Sequence, residues 1–295
     1  MTTISKRDAW LLASRPKTLP AAVAPVLVGV GLAIHDDVLA ILPALAALLG
    51  ALLLQVGVNL ANDYFDFMKG VDSEERRGPT RVTQSGLIPP EQVRLGMIVI
   101  FGLSVLNGSY LIVVGGWPIL AVGVLSILAA LAYSGGPYPL ASHGLGDLAV
   151  FIFFGLFAVC GTYYVQALDL TPLVVLAALP PGFLITAILV VNNLRDIETD
   201  RKAGKTTLAV LLGEPGARLE YVLLLIGALL GVIALWLLGF GWPVLIALLT
   251  IPLHLRLIRA IYGPNEGPHM NLTLAQTAQL ALIFCALMAL GIALA

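Results

Sequence analysis

The chain has 295 residues, 59% of them hydrophobic and only 11% charged, with a mean hydropathy of +0.97 and a formal net charge of -1 at pH 7. So little charge excludes a soluble globular protein of this length and indicates a polytopic membrane protein, and the near-neutral balance argues against a nucleic-acid-binding role. The two cysteines, Cys160 and Cys285, sit inside apolar runs, which excludes a disulfide framework or cysteine-ligated zinc and reads them as small core residues.

Met1 to Pro20 is polar, with Lys6, Arg7, Arg15 and Lys17, and no small-residue cleavage site follows a short apolar core, so no removable signal peptide is expected. A bilayer-spanning helix needs about 20 mainly apolar residues. Nine segments meet that rule: 19–35, 38–62, 93–114, 117–134, 147–167, 171–192, 218–238, 241–262 and 273–294. The expected fold is an all-α bundle of nine transmembrane helices, a single integral-membrane domain over 1–295. The breaks at Gly115-Gly116-Trp117-Pro118, Leu168-Asp169-Leu170 and Gly239 to Trp242 are tight turns without a basic residue. All sixteen Lys and Arg fall on the other side, which the positive-inside rule assigns to the cytoplasm. The N-terminus and the loops 63–92, 135–146, 193–217 and 263–272 are therefore expected inside, and the C-terminus outside. Trp10, Trp117, Trp236 and Trp242 lie near predicted helix ends, as interfacial aromatics do.

Two polar stretches, Asn59 to Asp66 and Asn192 to Asp200, close the second and sixth spans on the cytoplasmic side. Residues four apart share a helical face, so Asn192, Asp196 and Asp200 form one stripe, as do Asn62 and Asp66, with Asp63 beside them. Carboxylates at a membrane helix end are costly unless paired, hydrated or bound to a cation. Mg²⁺ takes hard oxygen ligands, one or two carboxylates plus substrate phosphates, so two facing clusters suit the clamping of a diphosphate through metal. Arg76, Arg77 and Arg81 follow the first cluster and Arg201, Lys202 and Lys205 the second, available to neutralise phosphate charge. A secondary transporter also places carboxylates in a helical bundle, but near the midplane rather than at one end. A purely structural membrane scaffold gives no reason for two Asn-Asp stripes.

With these motifs the chain resembles the UbiA superfamily of intramembrane aromatic prenyltransferases. The resemblance rests on Trp10 with Arg15-Pro16-Lys17-Thr18-Leu19-Pro20-Ala21, Asn62 to Asp66 with Gly70-Val71-Asp72, and Gly78 to Gly86. It continues in Tyr133-Ser134-Gly135-Gly136-Pro137, Gly144-Leu145-Gly146-Asp147 and Asn192 through Thr206. Within the superfamily these blocks are most similar to the branch that prenylates 1,4-dihydroxy-2-naphthoate in menaquinone synthesis. The resemblance implies Mg²⁺ as cofactor, a polyprenyl diphosphate donor, 1,4-dihydroxy-2-naphthoate as acceptor, and an active site in the cell membrane facing the cytoplasm.

Site roles follow from the same likeness. Asp63, Asp66, Asp196 and Asp200 are the expected metal ligands, with Asp66, Asp196 and Asp200 essential to catalysis. Asn62, Arg76, Arg81, Asn192 and Lys205 are expected at the diphosphate, and Lys17, Tyr64, Tyr133 and Tyr138 at the acceptor or chamber. Two departures bear on this. Four residues after Asp66 comes Gly70, where the superfamily commonly has another carboxylate, so Asp63 and Asp66 are favoured over Asp72. The stretch Pro137 to His143 lacks the Lys-Arg pair of hydroxybenzoate-type relatives, which disfavours that acceptor. The remaining alternatives are another aromatic acceptor of the superfamily, such as homogentisate, chlorophyllide or haem, and a phytyl donor. The four histidines lack ligand spacing and are assigned no metal role.

Overall fold

A computed structural model describes residues 4–70, 78 and 81–295. The described residues contain nine helical spans long and apolar enough to cross a membrane, from Lys6–His35 to Gly267–Ala293. Each coincides with one expected from the sequence, because a chain in lipid satisfies its backbone polar groups within the helix itself.

The elements run α1 (Lys6–Ser14), α2 (Leu19–His35), α3 (Ile41–Met68), α4 (Pro90–Gly115), α5 (Trp117–Ser134), α6 (Gly146–Val150), α7 (Ala158–Ala167), α8 (Pro172–Ala177), α9 (Leu179–Arg195), α10 (Ile197–Lys202), α11 (Leu208–Leu238), α12 (Ile251–Ile261) and α13 (Gly267–Ala293). A π-helical stretch, Phe151–Phe157, joins α6 to α7, and a 3₁₀ stretch, Trp242–Thr250, leads into α12. At roughly 2.0 Å per residue for 3₁₀ against 1.5 Å for α, that mixture lengthens a short eighth span to about 34 Å.

Several boundaries differ from the expected ones for local reasons. The polar N-terminus forms a helix, α1, capped by the Ser5 hydroxyl accepting from the Asp8 amide. It breaks at Arg15, whose φ of 50° precedes Pro16. The loop expected at 193–217 is largely helical, since α10 and the first turns of α11 fill it, with a kink where Gly213 (φ 70°) precedes Pro215. At 28 residues α3 is about 42 Å long, beyond the roughly 30 Å hydrocarbon core, so its last turns carry Asn62, Asp63 and Asp66 past the apolar layer.

Two packed clusters make up the core. One unites α2, α7, α9, α11 and α13 around Leu32, Leu184, Leu225, Phe284 and Met288. The other joins α1, α3, α4 and α5 with the 82–88 segment around Leu60, Val82, Met97 and Phe101. The π-helical stretch reaches α9 only because both partners are glycine there: a Cβ on Gly155 would stand 2.7 Å from the Gly182 Cα. Loops pair at both ends of the bundle. At one end Lys69 bonds the Ser134 and Gly136 carbonyls, and Thr206 bonds that of Ser142. At the other, Tyr163 donates to Asp36 and the Ala40 amide to Gln166. This is the alternation of sides read from the basic residues.

Candidate active site

The polar end of α3 is held by its neighbours. Gln55 and Asn59, one turn apart, both donate to the Thr18 hydroxyl at 3.0 Å, and Asn59 also reaches the Ser14 carbonyl at 3.0 Å. The turn between α1 and α2 is thereby fixed to the face of α3 that carries the motif. Further along, Ser134 donates to the Asn62 side-chain oxygen, while Lys69 donates to the Ser134 and Gly136 carbonyls at 2.6 and 3.2 Å. Burial lowers the Lys69 pKa below its usual value, Asp66 draws it back up, and Lys205 lowers it further. Lys69 thus lies within the field of a first-motif carboxylate and of the cation that follows the second motif.

The two first-motif carboxylates have different partners. Asp63, 1% exposed, accepts the Val82 and Thr83 backbone amides at 3.1 Å each. Asp66, one turn on, accepts from Arg81 at 2.6 Å, both side chains being buried. Asp63 anchors the returning loop through its backbone, whereas Asp66 pairs with the Arg81 side chain.

The second motif crosses a mild break. At Asp196 (φ -96°, ψ 6°) α9 ends and α10 begins, yet the Asp196 amide still donates to the Asn192 carbonyl at 3.2 Å and the Asp200 amide to that of Asp196 at 2.8 Å. The three-residue stripe read from the spacing is therefore present. Arg195, which sequence reasoning counts only among the cytoplasmic cations, lies at its centre. Its Nε and one terminal nitrogen grip both Asp196 oxygens at 2.9 and 2.6 Å, the same terminal nitrogen reaches Asn192 at 2.9 Å, and the other reaches Asn271 at 2.8 Å. Lys205 lies 3.9 Å from Asp200.

Tyr133 lies on α5 beside Ser134, whose hydroxyl donates to Asn62 of the first motif. It also lines a cavity of about 340 Å³. The cavity runs from Asn59, Asn62 and Tyr133 at the motif end to Ile112 and Ile119 at the opposite ends of α4 and α5, walled by α2, α3, α4, α5, the π-helical stretch and α7. Gly123 and Gly161 line it, and a Cβ at either would meet nothing within 4 Å. Such a space suits a long flexible apolar ligand with a charged head at the motif end.

Tyr64, Tyr138 and Lys17, expected at the acceptor or chamber, do not line this cavity. Tyr64 follows Asn62 by two residues, about 200° around α3, and packs with Phe65 against the α3–α4–α5 core. Tyr138 lies beyond the end of α5, exposed and stacked on His143 at 3.7 Å, and Lys17 is exposed on the one-turn helix Pro16–Thr18. Arg76, with Asp72 and Arg77, falls outside the described residues. Among the described residues no three His, Cys, Asp or Glu side chains converge as a metal cage. The donor set, few carboxylates with amide oxygens and cations beside them, fits an ion that keeps most of its shell for phosphate and water, as Mg²⁺ does.

Comparison with known proteins agrees with this architecture. The model of the UbiA prenyltransferase family matches residues 22–268. The 1,4-dihydroxy-2-naphthoate octaprenyltransferase of Escherichia coli (strain K12) is 41% identical, over 98% of this chain and 96% of its own length. The protein of that name from Mycobacterium tuberculosis (strain ATCC 25618 / H37Rv) is 40% identical, over 96% and 95%. The solved UbiA homolog from Archaeoglobus fulgidus bound to DMAPP and Mg²⁺ shares the fold with a TM-score of 0.70 at 18% identity, covering 97% of this chain and 99% of its own.

Proposed function

Since the chain belongs to the UbiA prenyltransferase family, we propose that it transfers a polyprenyl group from an allylic diphosphate to 1,4-dihydroxy-2-naphthoate, releasing CO₂ and diphosphate and forming demethylmenaquinol. The observation that carries the reading is the apolar chamber whose polar end is formed by Asn59, Asn62 and Tyr133, with Asp66 of the same motif paired to Arg81 one turn on. Asp66, Asp196 and Asp200, with Asn62 and Asn192, hold Mg²⁺ and the diphosphate, and Arg81 and Lys205 stand beside them to offset the charge of the leaving group. Mg²⁺, when bound, supplies positive charge where the departing diphosphate gathers negative charge. Asp63 acts differently, holding the 82–83 backbone so that Arg81 faces Asp66.

The chamber walls keep water from the allylic cation left when the carbon–oxygen bond breaks, and Tyr133 presents a π face to it. The ring carbon bearing the acceptor's carboxylate supplies the electron pair for the new carbon–carbon bond. Loss of CO₂ returns the electrons of its own bond to the ring and restores aromaticity. On this reading the site faces the cytoplasm of the cell membrane, which the one-sided distribution of Lys and Arg supports.

The experiment is transfer by purified protein with Mg²⁺, a polyprenyl diphosphate and carboxyl-labelled acceptors, read by product mass and released label. Prenylated naphthoquinol with one labelled CO₂ per transfer is expected. Label retained in the lipid product overturns the acceptor assignment, and no product with any aromatic acceptor overturns the enzyme reading.

A further inference from the structure

Arg195 is 1% exposed, among the largest fully buried side chains of the protein, at the end of a membrane helix where an unpaired charge is costly. Its guanidinium has five N–H donors in a rigid fork, and the structure aims them at three side chains. It closes a two-bond grip on Asp196, adds a bond to Asn192 one turn earlier, and reaches across to Asn271 on α13. Asp196 and Asn192 are thus oriented by one group, and that group is referenced to a helix outside the motif. A second tie lies beside it, where the Asn265 side chain donates to the Leu194 carbonyl at 2.9 Å. Buried and engaged on every side, Arg195 has no path to a substrate in this arrangement.

From this geometry we propose that Arg195 is the positioning residue of the second motif, locking the Asp196 carboxylate and the Asn192 amide in the orientation that receives metal and diphosphate, with Asn271 as its abutment. The proposal rests on the metal-and-diphosphate reading of the motif. A lysine does not replace it: a compact ammonium cannot grip two oxygens of one carboxylate while also reaching Asn192 and Asn271. In water a single such ion pair has little effect, but here the burial that makes an unpaired charge expensive also makes the orientation stiff.

The test is binding rather than turnover. Full-length protein in detergent is titrated with Mg²⁺ at fixed inorganic diphosphate, and the Mg²⁺ midpoint for diphosphate binding is read by calorimetry. Arg195→Met and Arg195→Lys are each expected to raise that midpoint at least about tenfold, about 1.4 kcal/mol or more, and Asn271→Leu, which keeps the Asp196 grip, about two- to fivefold, about 0.4–1.0 kcal/mol. Because Arg195 acts through Asp196, Arg195→Met combined with Asp196→Asn should be no weaker than Asp196→Asn alone. An unchanged midpoint in folded Arg195→Met, or additive losses in the double variant, overturns the proposal, since a merely structural arginine shifts the melting temperature and leaves the midpoint in place. Should Arg195→Met not fold, Asn271→Leu decides alone, and an unchanged midpoint there overturns it equally. Wild-type protein that binds no diphosphate with Mg²⁺ refutes the metal reading itself, a different outcome from a wild-type response that the variants leave unaltered.

Discussion

Asp63 and Asp66 stand three residues apart on α3, and their partners divide their roles. Asp66 pairs with Arg81 and Asp200 lies 3.9 Å from Lys205, and on the metal-and-diphosphate reading Asp66→Ala and Asp200→Ala should each lower prenyl transfer by on the order of 10²–10³-fold while the melting transition persists. Turnover and thermal unfolding of the purified variants check this, and near-normal turnover of Asp200→Ala at saturating Mg²⁺ would remove Asp200 from the site. Asp63→Ala should instead cost stability, about 1–3 kcal/mol, because it leaves the Val82 and Thr83 amides buried without an acceptor. The spacing of aspartates reveals which residues share a face and nothing about this division. Asp63 is claimed by backbone groups 19 and 20 residues later, which carry no side-chain signature. Arg195 had one legible signal, its position three after Asn192 on the same helix, where side chains meet.

Among the elements, α9 and the π-helical stretch approach closely beside the chamber. A Cβ on Gly155 would encroach on the Gly182 backbone, which cannot yield as a flexible side chain does. Gly155→Val is accordingly expected to destabilise the protein by about 1–3 kcal/mol, read as a lowered melting temperature in detergent. Gly123 is the contrasting case, a chamber wall with open space before it. Gly123→Phe should fold normally and occupy the space of the donor tail. Turnover with a long polyprenyl diphosphate should fall more than about tenfold, while a short donor such as dimethylallyl diphosphate loses far less. Equal losses for both donors would place the tail elsewhere. Most helix ends were legible to within a few residues, but α11 begins at Leu208 rather than 218 and α13 at Gly267 rather than 273, and the π and 3₁₀ stretches were not legible, because periodicity at this hydrophobicity is nearly the same all round the helix.

For the whole molecule, the segregation of sixteen basic residues predicts an odd number of crossings with the C-terminus outside. Reporter fusions at Gly116, Asp169 and Ala295 should report the outer side, and a cytoplasmic signal at Asp169 would refute the order of spans. The sequence by itself determined nine apolar spans and the two motifs, since these follow from local rules: lipid demands about 20 apolar residues per crossing, and helical spacing sets which carboxylates share a face. Only the tertiary structure decided that Tyr133 lines the chamber while Tyr64 and Tyr138 do not, that Asp63 accepts from loop backbone amides, that Arg195 grips Asp196 and Asn192, and where the chamber runs. Those outcomes depend on contacts between residues far apart in the chain, such as Arg81 with Asp66 and Arg195 with Asn271. In an apolar solvent most side chains on a helix are hydrophobic whichever way they face, so composition cannot mark which face meets a neighbour and which meets lipid.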